Sequence, residues 1–149
     1  MTLMMKTCFF SLAILFLWQV QDGAEACSCV NIPPEQVFCR ADMVFRATVR
    51  GRRLVDTGNG PMKSVRYDVQ VTKLFKGSSR HFDAVYTSSS VGACGATLNV
   101  GEQPYVLTGR MDADGAVHIT MCDFHALWDD LTFAQRRNLN QCGQSACVC

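Results

Sequence analysis

The sequence predicts a mainly β domain, a small closed or partly open barrel with a short helix near each end, stapled by disulfides. Three observations lead there. Short segments that alternate apolar and polar residues recur between turn signals along the middle of the chain. Helix signals occur in two places, one on either side of that strand-rich stretch. Nine cysteines in 149 residues point to a disulfide framework, while 48% hydrophobic against 18% charged side chains leaves enough apolar surface for a true core beneath it. Fourteen Lys+Arg against thirteen Asp+Glu give a net charge of +1, which disfavours a nucleic-acid partner held by bulk charge. Repeats and low-complexity tracts are absent.

Residues 1–26 read as a secretory signal peptide. Lys6 precedes an apolar run from Cys8 to Trp18, followed by polar Gln19, Gln21 and Asp22 and by Ala24-Glu25-Ala26. The run reaches only about half of a hydrocarbon core, so a membrane span fails on length. Glu25 is a poor fit to the signal of an acylated lipoprotein. Cleavage after Ala26 defines an exported, extracellular domain, 27–149, that begins at Cys27. Cys8 leaves with the signal. Cys27, Cys29, Cys39, Cys94, Cys122, Cys142, Cys147 and Cys149 remain, an even set in an oxidising compartment, which favours disulfides over metal thiolates and leaves the connectivity open.

The elements follow in order. Pro33-Pro34 pre-sets a helical φ, and Glu35, Val37, Phe38, Ala41 and Val44 suit a short helix that buries Phe38 and Cys39. Met43–Arg50 and Ser64–Phe75 alternate as strands, with Val65, Tyr67, Val69 and Val71 marking one face of the second. Asp56–Pro61, with its Gly-Asn-Gly, is the turn of a hairpin between them. His81–Thr87, Thr97–Val100, Pro104–Met111 and Ala116–Cys122 are further short strands, with Asp112–Gly115 a tight turn between the last two. Thr132 opens a helix with Gln135 as its capping-box partner, and Phe133, Arg136, Arg137 and Leu139 continue it. Strands in this number and length suit an OB-type barrel.

The most informative chemistry lies at the new N-terminus. Once Cys27 is residue one, its α-amine is free beside its own carbonyl oxygen, and those two atoms can chelate a metal. An α-amine has a pKa of about 7.7 to 8.0, so zinc can displace its last proton at physiological pH. The chain then carries a ligand pair but no metal site or cofactor of its own. A protease zinc with three protein ligands and an open position could take this pair in place of its catalytic water. Cys27 and Cys29, tied down two residues apart, would make the terminus rigid and lower the ordering cost of association.

Cys27-Ser-Cys-Val-Asn-Ile-Pro-Pro-Glu-Gln-Val-Phe-Cys39, followed by Arg-Ala-Asp-Met-Val-Phe-Arg-Ala47, resembles the start of mature tissue inhibitors of metalloproteinases, including the C-x-C-x9-C spacing. Similar stretches recur at Lys73-Leu-Phe-Lys-Gly77, Cys94-Gly95, His118-Ile-Thr-Met-Cys122 and Trp128–Leu139. The resemblance implies an OB-fold of the netrin-like kind, a five-stranded Greek-key barrel. It implies that the amine and carbonyl of Cys27 bind the zinc of a target protease, the one metal involved, and that Ser28 enters the specificity pocket. Cys29, Val30, Gly92 and Ala93 would complete the contact ridge. Disulfides Cys27 to Cys94 and Cys29 to Cys122 are implied, with Cys39 paired near the end of the chain; ungapped alignment puts Cys147 there and leaves Cys142 for Cys149. The partners implied are zinc metalloproteases, matrix metalloproteinases and adamalysin-type enzymes, bound by a monomer with no membrane partner. Asn31 and Pro33 replace the family's usual Pro and His, which is expected to loosen the chain just past the ridge. The family's second, C-terminal domain is expected to be missing, and its functions are not carried over.

Other residues read more plainly. His81, His118 and His125 share no short spacing and suit strand or surface positions better than a zinc site. Arg50, Arg52 and Arg53 suit a solvated strand end better than a heparin or matrix site. Asp129-Asp130 suits a helix N-terminus, and Trp128 a core position. Asn-x-Ser/Thr is absent, so little or no N-glycosylation is expected. An enzyme is disfavoured because no nucleophile, base and orienting group emerge together. Two functions remain: a secreted metalloprotease inhibitor, and a non-inhibitory netrin-like module that engages a receptor, growth factor or matrix component.

Overall fold

The computed structural model describes residues 27–142, apart from residue 59; the expected signal peptide and the cysteines at 147 and 149 lie outside the described residues. Helix α1, Pro34–Arg40, is followed by strands β1 (Met43–Asp56), β2 (Lys63–Lys76), β3 (Ala84–Ser88), β4 (Tyr105–Met111), β5 (Val117–His118) and β6 (His125–Leu127), a single 3-10 turn at Trp128–Asp130, and helix α2, Phe133–Cys142. Strands β1, β2, β3, β5 and β4 pair in that order and β4 returns to β1, closing a five-membered ring, with β6 added outside on β4. Every pairing in the ring is antiparallel except β3 with β5. This is the expected mainly β, OB-type barrel.

The strand pattern explains the closure. In β1, Met43, Phe45, Ala47 and Val49 point into the barrel, where they meet Val65, Tyr67, Val85, Leu107 and Val117. Val44, between them, points outward into a second cluster with Phe38, Phe75, Val106, Leu131 and Leu139. The second cluster fastens both helices to the barrel wall. Val44 therefore belongs to a strand and not to the first helix. That helix ends at Arg40 because Ala41 turns extended, its N–H still bonding Val37 O at 2.9 Å. Lys76 Nζ donates to Cys39 O at 2.6 Å, covering a carbonyl that the helix end leaves open. Phe38 is fully buried as expected, whereas Cys39 is half-buried. Gly77, at φ +119°, ends β2 against Met43, whose Cγ would lie 2.8 Å from any Cβ placed there.

Four strand expectations need correction, the simplest being His81–Thr87, which forms a strand only as Ala84–Ser88. Strand β1 runs on to Asp56, because Arg52–Asp56 stay paired with Lys63–Tyr67 in a ribbon that leaves the barrel after the register shift at Gly51. Thr97–Val100 is not a strand. Its neighbourhood bonds to side-chain hydroxyls instead of a ladder: Ala96 N–H donates to Thr87 Oγ1 (2.8 Å), Leu98 N–H to Tyr67 Oη (3.1 Å) and Asn99 N–H to Tyr105 Oη (3.1 Å). Ala116–Cys122 shrinks to Val117–His118, because Asp123 Oδ2 accepts from both Thr120 N–H (2.8 Å) and Thr120 Oγ1 (3.0 Å) and turns the chain. Strand β6 has no counterpart in the sequence reading.

The capping box forms as expected. Gln135 N–H donates to Thr132 Oγ1 at 3.2 Å and Thr132 N–H to Gln135 Oε1 at 2.9 Å. Trp128 is half-buried and packs against the edge of the second cluster, its ring stacked on Phe75 at 6.0 Å with 10° between planes. Among the described residues, no helix is long and apolar enough to cross a membrane.

Candidate functional site: the disulfide-pinned ridge

Two short segments, residues 27–30 and 88–95, are brought side by side by covalent bonds. Cys27 is joined to Cys94, with Cα atoms 5.1 Å apart, and Cys29 to Cys122, with Cα atoms 5.2 Å apart. The first segment has no secondary structure, so these sulfurs hold it in place. Ser28, Cys29 and Val30 are exposed, Val30 to 82%, while Cys27 is half-buried at the base.

The facing loop is a compact turn. Ser90 O accepts from Ala93 N–H (3.2 Å) and Gly95 N–H (3.0 Å), and Val91 O accepts from Cys94 N–H (3.1 Å). These bonds close the chain so tightly that Cys94 adopts φ +63°, the single left-handed non-glycine among the described residues. Gly95 makes the turn possible. Any Cβ there would collide with Ser88 O and lie 3.0 Å from Ser90 O. Gly92 and Ala93 are exposed at the tip beside Val91, which is 64% exposed. The third wall is the 120–123 turn held by Asp123, where Met121 N–H donates to Cys94 O at 2.9 Å and so ties the turn to the loop.

The structure thus gathers Cys27, Ser28, Cys29 and Val30 with Gly92, Ala93, Cys94 and Cys122. Val91 and Asp123 were missed, and Gly95 was named only within the Cys94-Gly95 stretch and given no role. Gly95 carried a signal, since a Cys-Gly pair after a Ser-rich stretch marks a tight turn; Val91 and Asp123 depend on which loops meet in space. The Sγ atoms of Cys27, Cys94 and Cys122 lie within 4.8 Å of one another, but all three cysteines are disulfide-bonded, and a disulfide offers no thiolate to a metal. Cys39 and Cys142 are also disulfide-bonded; the pairing expected for them, with Cys147 and Cys149, falls on residues outside the described ones.

The remaining singled-out residues lie elsewhere. His118 Nε2 sits 2.9 Å from Asp112 Oδ2, His125 Nδ1 sits 2.9 Å from Asp123 O, and His81 is exposed. Arg50 Nη2 donates to Gln70 Oε1 at 2.8 Å, while Arg52 and Arg53 lie exposed on the ribbon. Asp129, in the 3-10 turn, lies 3.9 Å from Arg136.

Residues 25–149 match the family model described as tissue inhibitor of metalloproteinase. The chain belongs to this family. It is 38% identical over 149 residues to metalloproteinase inhibitor 2 of Homo sapiens, a match covering 97% of the chain and 68% of that protein. Over 144 residues it is 39% identical to metalloproteinase inhibitor 2 of Cavia porcellus, covering 93% of the chain and 66% of the relative. The corresponding protein of Gallus gallus is 40% identical over 143 residues, covering 93% and 64%. The chain therefore spans about two thirds of the length of these relatives. A tissue inhibitor of metalloproteinase is an inhibitor and not an enzyme, as the residues alone had suggested.

Proposed function

We propose that this chain is a secreted inhibitor of zinc metalloendopeptidases, matrix metalloproteinases and adamalysin-type enzymes among them, that acts as a monomer and uses the zinc of its target. The observation that supports this most is the anchoring of an exposed 27–30 segment by two disulfides beside an exposed loop tip. Once the chain is cut before Cys27, the α-amine and carbonyl oxygen of that residue form a five-membered chelate around the protease zinc and displace the water needed for hydrolysis. Ser28, next in line and exposed, enters the specificity pocket, and its hydroxyl can hydrogen-bond the general-base carboxylate. Val30 on one side, with Gly92 and Ala93 on the other, extends the contact. Rigidity is what makes this an inhibitor: both segments are already ordered, so little conformational entropy is lost on docking.

The ridge favours inhibition over a netrin-like module that binds without inhibiting, since such a module has no need for a pinned cysteine at position 27. Active-site titration of a matrix metalloproteinase with the chain beginning at Cys27, and with the same chain carrying one added Ala before it, tests the mechanism. The extended protein should lose inhibition and keep its circular dichroism and disulfide map. Equal inhibition by both proteins would remove chelation from consideration, and inactivity of both across a panel of metalloproteases would favour the binding module.

A further inference from the structure

Away from the ridge, β1, β2, the 3-10 turn and α2 meet at a surface where cations and aromatic rings alternate. The Arg46 guanidinium lies 4.8 Å and that of Arg136 5.4 Å from the centre of the Trp128 ring, Lys73 Nζ lies 5.2 Å from that of Phe75, and Arg137 lies 5.9 Å from that of Phe133. Trp128, Phe133, Arg136, Arg137, Asn140 and Gln141 line a cavity of about 370 Å³. Phe133 is 79% exposed at its rim, although nothing in the fold requires a large apolar side chain there. Among the described residues, one carboxylate pairs with any of these four cations: Asp129, 3.9 Å from Arg136. In a chain whose overall charge is +1, this is a local excess of positive charge around an apolar hollow.

We propose that this surface docks an acidic peptide segment carrying an apolar side chain. The apolar side chain would enter the hollow beside Phe133 and Trp128, and the flanking carboxylates would meet Arg136 and Arg137. Two features favour a peptide over a sulfated polysaccharide. The arginines lie against rings, which orients the planar guanidinium; Arg136 gives its Nε–H to Trp128 O at 3.1 Å, which leaves its outer Nη groups, together with the exposed Arg137 guanidinium, for carboxylate recognition. The hollow is largely apolar, and a polysaccharide has nothing to place in it. Asn140, whose Oδ1 accepts from Lys73 Nζ at 2.9 Å, keeps its amide N–H₂ at the rim as a donor. No residue of the ridge takes part, so the surface could hold a partner while the ridge is engaged.

Fluorescence anisotropy with the chain beginning at Cys27 and a labelled peptide of glutamates flanking a single leucine tests the proposal. Saturable binding is expected, weakened about tenfold or more by Arg137→Glu, by Phe133→Ser and by a peptide with serine in place of leucine. Arg137 and Phe133 are exposed, so both variants should keep the parent unfolding midpoint. Absence of saturable binding overturns the proposal. So does binding that Phe133→Ser leaves unchanged. Tight binding of a heparin oligosaccharide that is indifferent to Phe133→Ser, with no binding of the peptide, would make this a polysaccharide surface instead.

Discussion

The Sγ of Cys27 lies 3.7 Å from the Sγ of Cys122, although each is bonded to a different cysteine. Two disulfides, one from each of two distant loops, are thus stacked in a single sulfur cluster beneath Ser28. The 27–30 segment is gripped from both sides, and the loops that grip it are bonded to each other through Met121 N–H and Cys94 O. The ridge is therefore a property of three chain segments together, which ties its shape to the stability of the barrel.

Removing the Cys29 to Cys122 bond tests that coupling. The bond closes a sequence separation of 93 residues, and the double variant Cys29→Ser/Cys122→Ser should lose about 2 to 5 kcal/mol of stability in urea unfolding. Inhibition should weaken at conditions where the variant is still folded, because Ser28 and Val30 then hang from Cys27 alone. Unchanged inhibition by a folded double variant would mean that the first disulfide suffices.

Gly95→Ala should damage the same loop from within. The added methyl meets Ser88 O and Ser90 O, both backbone atoms that cannot swing away, so the 88–94 turn must open and carry Cys94 with it. A loss of about 1 to 3 kcal/mol is expected from such overpacking. Inhibition should fall further than stability explains. Gly92→Ala is the control: the nearest atom to a Cβ there is the Ser90 hydroxyl at 3.6 Å, and it should leave stability nearly unchanged.

Asp112 gives the hairpin between β4 and β5 an acid dependence. Its carboxylate faces His118 Nε2 at 2.9 Å and accepts the N–H groups of Asp114 (3.0 Å) and Ala116 (2.9 Å). The hydrogen bond from His118, followed in effect by those backbone donors, holds its pKa below the ordinary carboxylate value. A lowered folded-state pKa contributes stability above the ordinary carboxylate range, and that contribution disappears as pH falls through the lowered value. Asp112→Asn should therefore be less stable than the parent at neutral pH and equal to it in strong acid. Urea unfolding at both pH values measures this, and a difference that persists in acid would point to packing instead of charge.

Much of the barrel was legible because period-two alternation is a local property. Val65, Tyr67 and Val69 mark their own inward face, and Thr132 with Gln135 marks its own helix start. The ridge was legible for a different reason: Cys27, Ser28 and Cys29 carry a spacing that resembles a family, and the family supplied the partners Cys94 and Cys122. The misreading of Thr97–Val100 came where backbone groups bond to distant side chains. Nothing near Thr97 shows that the hydroxyls of Thr87, Tyr67 and Tyr105 will take the amides around it, and nothing in β6 alternates long enough to announce a strand.

Those hydroxyls supply a final test, in which burial decides the size of the effect. Tyr67 is 1% exposed, and its Oη accepts from Leu98 N–H while lying 3.4 Å from Ala96 O. Tyr105 Oη accepts from Asn99 N–H, where Asn99 is itself exposed. Tyr67→Phe leaves a buried donor without a partner and should cost about 1 to 3 kcal/mol. Tyr105→Phe leaves a donor that water can reach, and its cost should be about 1 kcal/mol or less. Hydrogen exchange should show the Leu98 amide losing protection in the first variant, while the Cys94 loop, two residues upstream of Ala96, loosens with it. Equal costs for the two variants would mean that the irregular 95–100 segment is held by its apolar contacts, chiefly those of Ala96 and Leu98, and not by borrowed hydroxyls.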